Sequence, residues 1–165
     1  MNTSEIALVV AIASILLSMY TAYLQRKHDI LSVRPLGYII LLNYETNIGV
    51  KIVNYGVGPM NIIDLKIEDS NHNTTDTLIE YIENKMSGET WSDFVEEVVN
   101  RPLAPNNEIV LFLYKYDDEE DSKDEFDIKR NKLRHILKGL KISLTYEDLY
   151  HNKFLFCREL KGLFK

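Results

Sequence analysis

The chain has 165 residues, 45% apolar and 27% charged, with 25 Asp+Glu against 19 Lys+Arg and a net charge of −6. That length allows one ordinary domain plus an appendage and excludes a large multidomain enzyme. The acidic balance argues against a general nucleic-acid binder, and the single cysteine, Cys157, excludes an intrachain disulfide framework and a cysteine-rich zinc site.

Lipid-like character is concentrated at the start. Ile6 to Leu24 reads IALVVAIASILLSMYTAYL, without charge, Pro or Gly. As a helix this run spans roughly 28 Å, close to the hydrocarbon thickness of a bilayer. Ser14, Ser18 and Thr21 can hydrogen-bond to their own helix. Tyr20 and Tyr23 lie near one end, where rings favour the headgroup zone. Gln25-Arg26-Lys27-His28 then stops the span. A cleaved signal peptide needs a basic start, which Met1 to Glu5 lacks, and a small-residue cleavage pattern that Tyr20 before Ala22 spoils. A buried core helix would be shorter and amphipathic. The segment therefore predicts a transmembrane anchor that contacts membrane lipid through residues 6–24.

Arg26, Lys27 and Arg34 follow the span and no Lys or Arg precedes it, so the positive-inside rule sets the N-terminus outside and the remaining chain in the cytoplasm. A lone thiol fits that reducing side. Ala7, Ala11, Ser14, Ser18 and Thr21 form a stripe of small residues along the helix, beside bulkier Leu8, Ile12, Ile15 and Met19. Such stripes let membrane helices approach closely, which predicts self-association or pairing with a protein partner; Ala and Ser are also common in anchors that pair with nothing.

Residues 1–29 hold Arg26 and Lys27 against Glu5 and Asp29, so the whole −6 falls on residues 30–165. That second segment is the expected folded domain. Pro35 forces an extended entry. Leu36–Asn43 and the alternating Asn47–Tyr55 predict a hairpin. Asn54-Tyr55-Gly56-Val57-Gly58-Pro59 is a dense turn, and Ile62–Glu68 resumes as strand. Apolar residues at helical spacing predict short helices within 77–99, one over Thr77–Met86 and one over Trp91–Val99. Glu108–Tyr116 is the strongest buried strand. Asp117–Glu125 is an acidic loop, and Phe126–Lys138 is a helix with Ile128, Leu133, Ile136 and Leu137 on its apolar side. Leu140–Tyr146 and Asn152–Leu160 predict a closing strand pair around Asp148-Leu149-Tyr150-His151. No solenoid-like repeat is evident. The pattern is mainly β and antiparallel, with inserted helices at about 77–99 and 126–138.

Arg34-Pro35-Leu36, Asn54-x-Gly56-x-Gly58-Pro59, Leu103-Ala104-Pro105-Asn106-Asn107-Glu108 and Tyr146-x-Asp148-x-Tyr150 together resemble the motifs of small bacterial single-pass membrane proteins, mostly uncharacterised, with an immunoglobulin-like β-sandwich after an N-terminal anchor. The resemblance covers nearly the whole chain. Met60 stands where Ala usually follows the Gly-Pro, Asn107 replaces a Gly, and 117–139 reads as an insertion. It implies a fold and a location and carries no catalytic residues.

Candidate chemistry is sparse. Asn54, Gly56, Gly58 and Pro59 are followed by strand-forming residues, whereas a phosphate loop needs a helix, so they read as a structural turn. From Asp117, the sixth and twelfth positions of a calcium loop hold Ser122 and Ile128 instead of Gly and Glu. Lys129, Arg130, Lys132, Arg134 and Lys138 follow the acidic run. They pair with it or stay hydrated, or else form a contact face for an anionic membrane surface or a partner. His28, His72, His135 and His151 show no metal-ligand spacing. Cys157, in apolar Phe154-Leu155-Phe156-Cys157, reads as a buried inert thiol. No metal, cofactor, catalytic residue, small-molecule substrate or nucleic acid is called for. The expected function is a non-enzymatic, membrane-anchored interaction module. The alternatives are an oligomerising membrane effector of a phage-defence or mobile-element system and a pilin-like subunit suggested by Glu5, against which the basic residues after the helix stand.

Overall fold

The computed structural model describes residues 2–117 and 122–160. Helix α1 (Thr3–Ser32) buries none of its residues. Glu5 serves its start: the Asn2 amide donates to Glu5 Oε2 at 3.0 Å, satisfying a backbone group at the open helix end. The hydroxyls of Ser14, Ser18 and Thr21 donate to the carbonyls of Val10, Ser14 and Ser18 at 2.8, 2.8 and 2.9 Å. The helix is long and apolar enough to cross a membrane. Its basic cluster ends the apolar run but not the helix, which continues through the expected boundary at 29/30 to Ser32.

Beyond α1 come β1 (Gly37–Asn43), β2 (Asn47–Asn54), β3 (Met60–Glu68), β4 (Thr74–Thr75), α2 (Leu78–Glu83), β5 (Asp93–Phe94), β6 (Pro102–Leu103), β7 (Glu108–Lys115), α3 (Lys123–Lys138), β8 (Lys141–Glu147) and β9 (Lys153–Glu159). Two antiparallel sheets result. One has the order β1-β2-β7-β5; the other runs β4-β3-β8-β9, with β6 also paired to β3. Their inward residues meet in one core that includes Ile39, Ile52, Ile62, Leu65, Leu111, Phe112, Ile142 and Leu144. The fold is mainly β with helical additions.

The pairings define two ends. Gly37 faces Asn54, Val53 faces Glu108, Asn61 faces Glu147 and Glu147 faces Lys153, so the loops 33–36, 55–59, 104–107 and 148–152 gather at the end where α1 arrives. At the other end lie the turns 44–46 and 69–73 and the start of β8. Seven or eight strand residues separate the ends by about 25 Å. Among the described residues, α3 stands at the far end. Arg134 Nε reaches Asn43 Oδ1 at 2.9 Å, and Arg130 donates to the Tyr44 and Glu45 carbonyls at 3.1 and 2.7 Å.

Two local expectations change. The stretch 91–99 is not a helix. Ser92 and Val95 donate to the Leu113 and Leu111 carbonyls, and β5 pairs with the otherwise open edge of β7. The edge's unpaired backbone groups override the helical spacing of Trp91, Phe94, Val95 and Val98. Trp91 packs edge-on against Phe112, with centroids 5.0 Å apart. Helix α3 begins three residues earlier than the apolar spacing indicated, because the Ser122 hydroxyl accepts from the Glu125 amide at 3.2 Å and starts the helix there. Asp124 and Glu125, assigned to the acidic loop, form its first turn, where acids suit the dipole; residues 118–121 of that loop lie outside the described residues. Phe126 is buried along with Leu133 and Leu137 and stacks on Tyr114 at 5.1 Å, whereas Ile128 is 57% exposed.

Phe126→Ala should therefore cost about 3–5 kcal/mol of stability in urea unfolding of the full chain in detergent micelles. A loss below about 1 kcal/mol would mean that α3 is not packed into the core.

Candidate functional site: the joint between helix and sheets

Four residues, Val33 to Leu36, carry the chain from α1 into β1, and the Asn54–Pro59 turn grips them. Asn54 is fully buried. Its Oδ1 accepts from the amides of Leu36 and Gly56 at 3.1 and 3.0 Å, and its Nδ2 donates to the carbonyls of Gly58 and Leu103 at 2.8 and 3.1 Å. Those four bonds use the full capacity of one side-chain amide. Its backbone is held as well: Asn54 donates to the Asn107 carbonyl, Asn106 donates to the Asn54 carbonyl and Tyr55 donates to the Leu36 carbonyl.

The two glycines follow from the same approach of backbones. A Cβ on Gly56 would lie 2.5 Å from the Arg34 carbonyl oxygen, and one on Gly58 would lie 1.7 Å from that of Val33. Pro59 then feeds the chain into β3. Gly58 leaves no room for a phosphate cradle, because the linker backbone occupies the concave side.

Arg34 adds a second hold. Its guanidinium lies 4.7 Å from the Phe154 ring centroid, and Phe154 stacks on Tyr146 at 5.5 Å. The Tyr146 hydroxyl accepts from the Gly37 amide at 3.0 Å, linking β8 to β1 across the two sheets. Arg158 of β9 donates to the Ile39 carbonyl on β1 and closes the same seam. Within five residues of the helix end, the chain is thus tied to both sheets.

The closing turn repeats an earlier one. Glu147-Asp148-x-x-His151-Asn152 repeats Glu68-Asp69-x-x-His72-Asn73. In each, the aspartate Oδ1 accepts from amides two and four residues on, at 2.8 and 3.0 Å for Asp69 and 2.8 and 2.9 Å for Asp148. The other oxygen accepts from the Asn side chain. Each histidine takes positive φ, 64° at His72 and 63° at His151, and faces its glutamate at 2.6 and 3.4 Å. The two histidines stand at opposite ends of the sheet and serve turns. The signal was present as a six-residue repeat, too short and too widely separated to register as a structural period.

Other expected residues are scattered. Ala7, Ala11, Ser14, Ser18 and Thr21 lie exposed on α1, as do Arg26 and Lys27. On α3, Lys129 pairs with Glu89 at 2.8 Å and Arg130 with Asp127 at 2.8 Å, while Lys132 and Lys138 are exposed. About 25 Å of sheet separates this face from the exit of α1. Cys157 is exposed rather than buried, with its Sγ 3.4 Å from Ser143 Oγ on the outer face. Phe154 and Phe156 take the inward positions of β9, so alternation turns Leu155 and Cys157 outward. Among the described residues, no group of three or more His, Cys, Asp or Glu is placed to hold a metal ion. Comparison with protein-family models, curated proteins and solved structures gave no match.

Asn54→Asp should destabilise the fold by about 3 kcal/mol, since two buried carbonyls lose donors and face a carboxylate; an unfolding midpoint unchanged from wild type would contradict the assigned bonds. The turns predict an acid limb. Burial acts to raise the Asp148 carboxyl, but hydrogen bonds from the Asn152 side chain and amide and from the Tyr150 amide, together with nearby His151, outweigh it and hold it below the usual Asp value. Asp69 is lowered chiefly by the Asn73 side chain, against a smaller burial effect and with the Asn73 and Asn71 amides adding to the lowering. A depressed folded-state pKa gives stability that is present above the unfolded value of about 3.9 and is lost as pH falls through the folded value. Asp148→Asn should lower stability at neutral pH and flatten its decline below about pH 4, measured as the unfolding midpoint against pH.

Proposed function

We propose that the protein is a membrane-anchored, non-enzymatic interaction module. Residues 6–24 cross the membrane, and residues 30–165 form an immunoglobulin-like sandwich in the cytoplasm. The observation that carries this reading is that α1 is apolar, unburied and long enough to span, and runs without a flexible linker into a domain that packs its own core. A soluble protein that left such a helix uncovered would expose far more contiguous apolar surface than monomers ordinarily do. Two antiparallel sheets sharing one core support the sandwich. The resemblance of the Arg34-Pro35-Leu36 and Asn54–Pro59 motifs to small bacterial single-pass proteins supports the same reading, and these two motifs contact one another. Arg26, Lys27 and Arg34 after the span support the cytoplasmic side, as does a surface thiol without a disulfide partner.

In spheroplasts, protease added outside should leave the domain intact until the membrane is permeabilised; digestion without permeabilisation would overturn the orientation. Extraction by carbonate at high pH would overturn the anchor.

A second reading is an oligomerising membrane effector of a phage-defence or mobile-element system. It is favoured by one observation: Ser14, Ser18 and Thr21 turn their hydroxyls back to their own carbonyls, which leaves the small-residue face of α1 free for close helix packing. Overexpression should then depolarise the membrane, and Ala7→Leu with Ser14→Leu should abolish the effect. A normal potential at high expression eliminates this reading.

A further inference from the structure

The domain's exposed apolar side chains are unevenly distributed. Of the ten exposed large apolar side chains described beyond α1, six, Leu36, Tyr38, Tyr55, Val57, Leu149 and Tyr150, lie at or beside the end where α1 arrives, with Val57 69% and Leu149 65% exposed in two loops, whereas Tyr44, Phe94, Ile128 and Leu155 lie elsewhere. Tyr38 lies 5.8 Å from Tyr55 and 5.0 Å from Phe156, so an aromatic run continues along the β1–β9 seam. We propose that this loop end is a membrane-resting surface: Val57, Leu149 and the tyrosines around them settle into the headgroup zone of the leaflet from which α1 emerges. The proposal rests on the anchor reading above and goes beyond it by giving the domain its own lipid contact.

Three observations point to lipid as the occupant. The first is continuity with the spanning helix. About 14 Å of helix separates Leu24 from Val33, and a headgroup zone is about 5–8 Å deep. An upright helix would hold the loops just clear of it. A tilt of about 30°, within the ordinary range, lowers a loop about 10 Å off the axis to about 7 Å from the hydrocarbon edge.

The second is residue type. Tyrosine, with an apolar ring and a polar tip, is favoured at this depth, and the loop tips add the branched side chains Val57 and Leu149.

The third is charge. Arg26, Lys27, Arg34 and Lys153 flank the patch. The carboxylates nearest to it are engaged: Asp148 is inside its turn, Glu147 faces His151 and Asn61, and Glu108 pairs with Lys51 at 2.6 Å. Asp29 lies on α1 itself; Glu96 and Glu97 are exposed at the same end of the domain, beside the start of β7 and across β2 from the β1–β9 seam. Glu45, Glu68, Asp69, Asp124 and Glu125 stand at the far end, together with the basic residues of α3. The helix exit and the β1–β9 seam therefore meet an anionic leaflet with four basic side chains whose neighbouring carboxylates are engaged.

The test uses the full chain in vesicles of phosphatidylcholine and phosphatidylglycerol, in a Cys157→Ser background. An environment-sensitive fluorophore is placed singly at Val57→Cys, Leu149→Cys, Thr74→Cys at the far end, and Ile15→Cys within α1. Nitroxide lipids labelled at the headgroup should quench the Val57 and Leu149 probes about threefold or more beyond the Thr74 probe, and mid-chain nitroxides should quench the Ile15 probe. If Ile15 is quenched while Val57 and Leu149 match Thr74, the membrane-resting surface is overturned and the anchor stands. If Ile15 is not quenched, both fall. If the Val57 and Leu149 probes quench one another and recover on dilution with unlabelled chain, without lipid quenching, the surface joins copies of the chain and the proposal is overturned.

Discussion

The fold depends on the saturation of one buried amide. Asn54 ends β2, and its side chain binds the linker after α1, the turn that leads to β3, and β6. Each partner is a backbone group that water would otherwise have to satisfy. A side chain with two acceptor sites and two donors at fixed angles can serve all four; an aspartate supplies no donors and a hydrophobic residue supplies nothing. Around this bond set the rest is constrained in turn. Gly56 and Gly58 have no side chain because the linker backbone lies against them, and Pro59 delivers the chain into the second sheet.

Much of this architecture was legible in the amino-acid order, for physical reasons that differ by element. Strands β1, β2, β7 and β8 announced themselves through alternation or dense apolar content, which reflects burial on one or both faces. The Asn54–Pro59 turn was recognisable from its glycines and proline. Its partner was not, since the contact with Val33–Leu36 is tertiary and leaves no local pattern. The segment 91–99 misled because a two-residue edge strand is too short for a period of two to show, whereas the apolar spacing from Trp91 to Val98 mimics a helical face. Cys157 misleads for a related reason: Phe-Leu-Phe-Cys reads as uniformly apolar, and the alternation that turns Leu155 and Cys157 outward is hidden within it.

The domain is polarised along its length. At one end, tyrosines, loop-tip aliphatics and basic residues surround the helix exit; at the other stands α3, with acidic residues in its first turn and basic residues along its length. The basic helix α3 illustrates how placement redirects a reading of charge. Lys129 to Lys138 look suited to an anionic surface in isolation, yet Arg130 and Arg134 are committed to the β1–β2 turn, and the helix stands at the end remote from α1. Lys132 and Lys138 remain exposed at the end remote from α1.

The joint has a mechanical consequence. Four linker residues, pinned by Asn54 and by Arg34 against Phe154, leave no slack between helix and sheets. The domain is therefore a lever arm fixed to α1. A change of about 10° in helix tilt displaces a point about 25 Å away by about 4 Å, roughly the width of a side chain. In the proposed anchored arrangement, any force that reorients the helix, whether bilayer thickness or a neighbouring helix, moves α3 further than the loops beside the exit, which shift by about 2 Å for the same 10°.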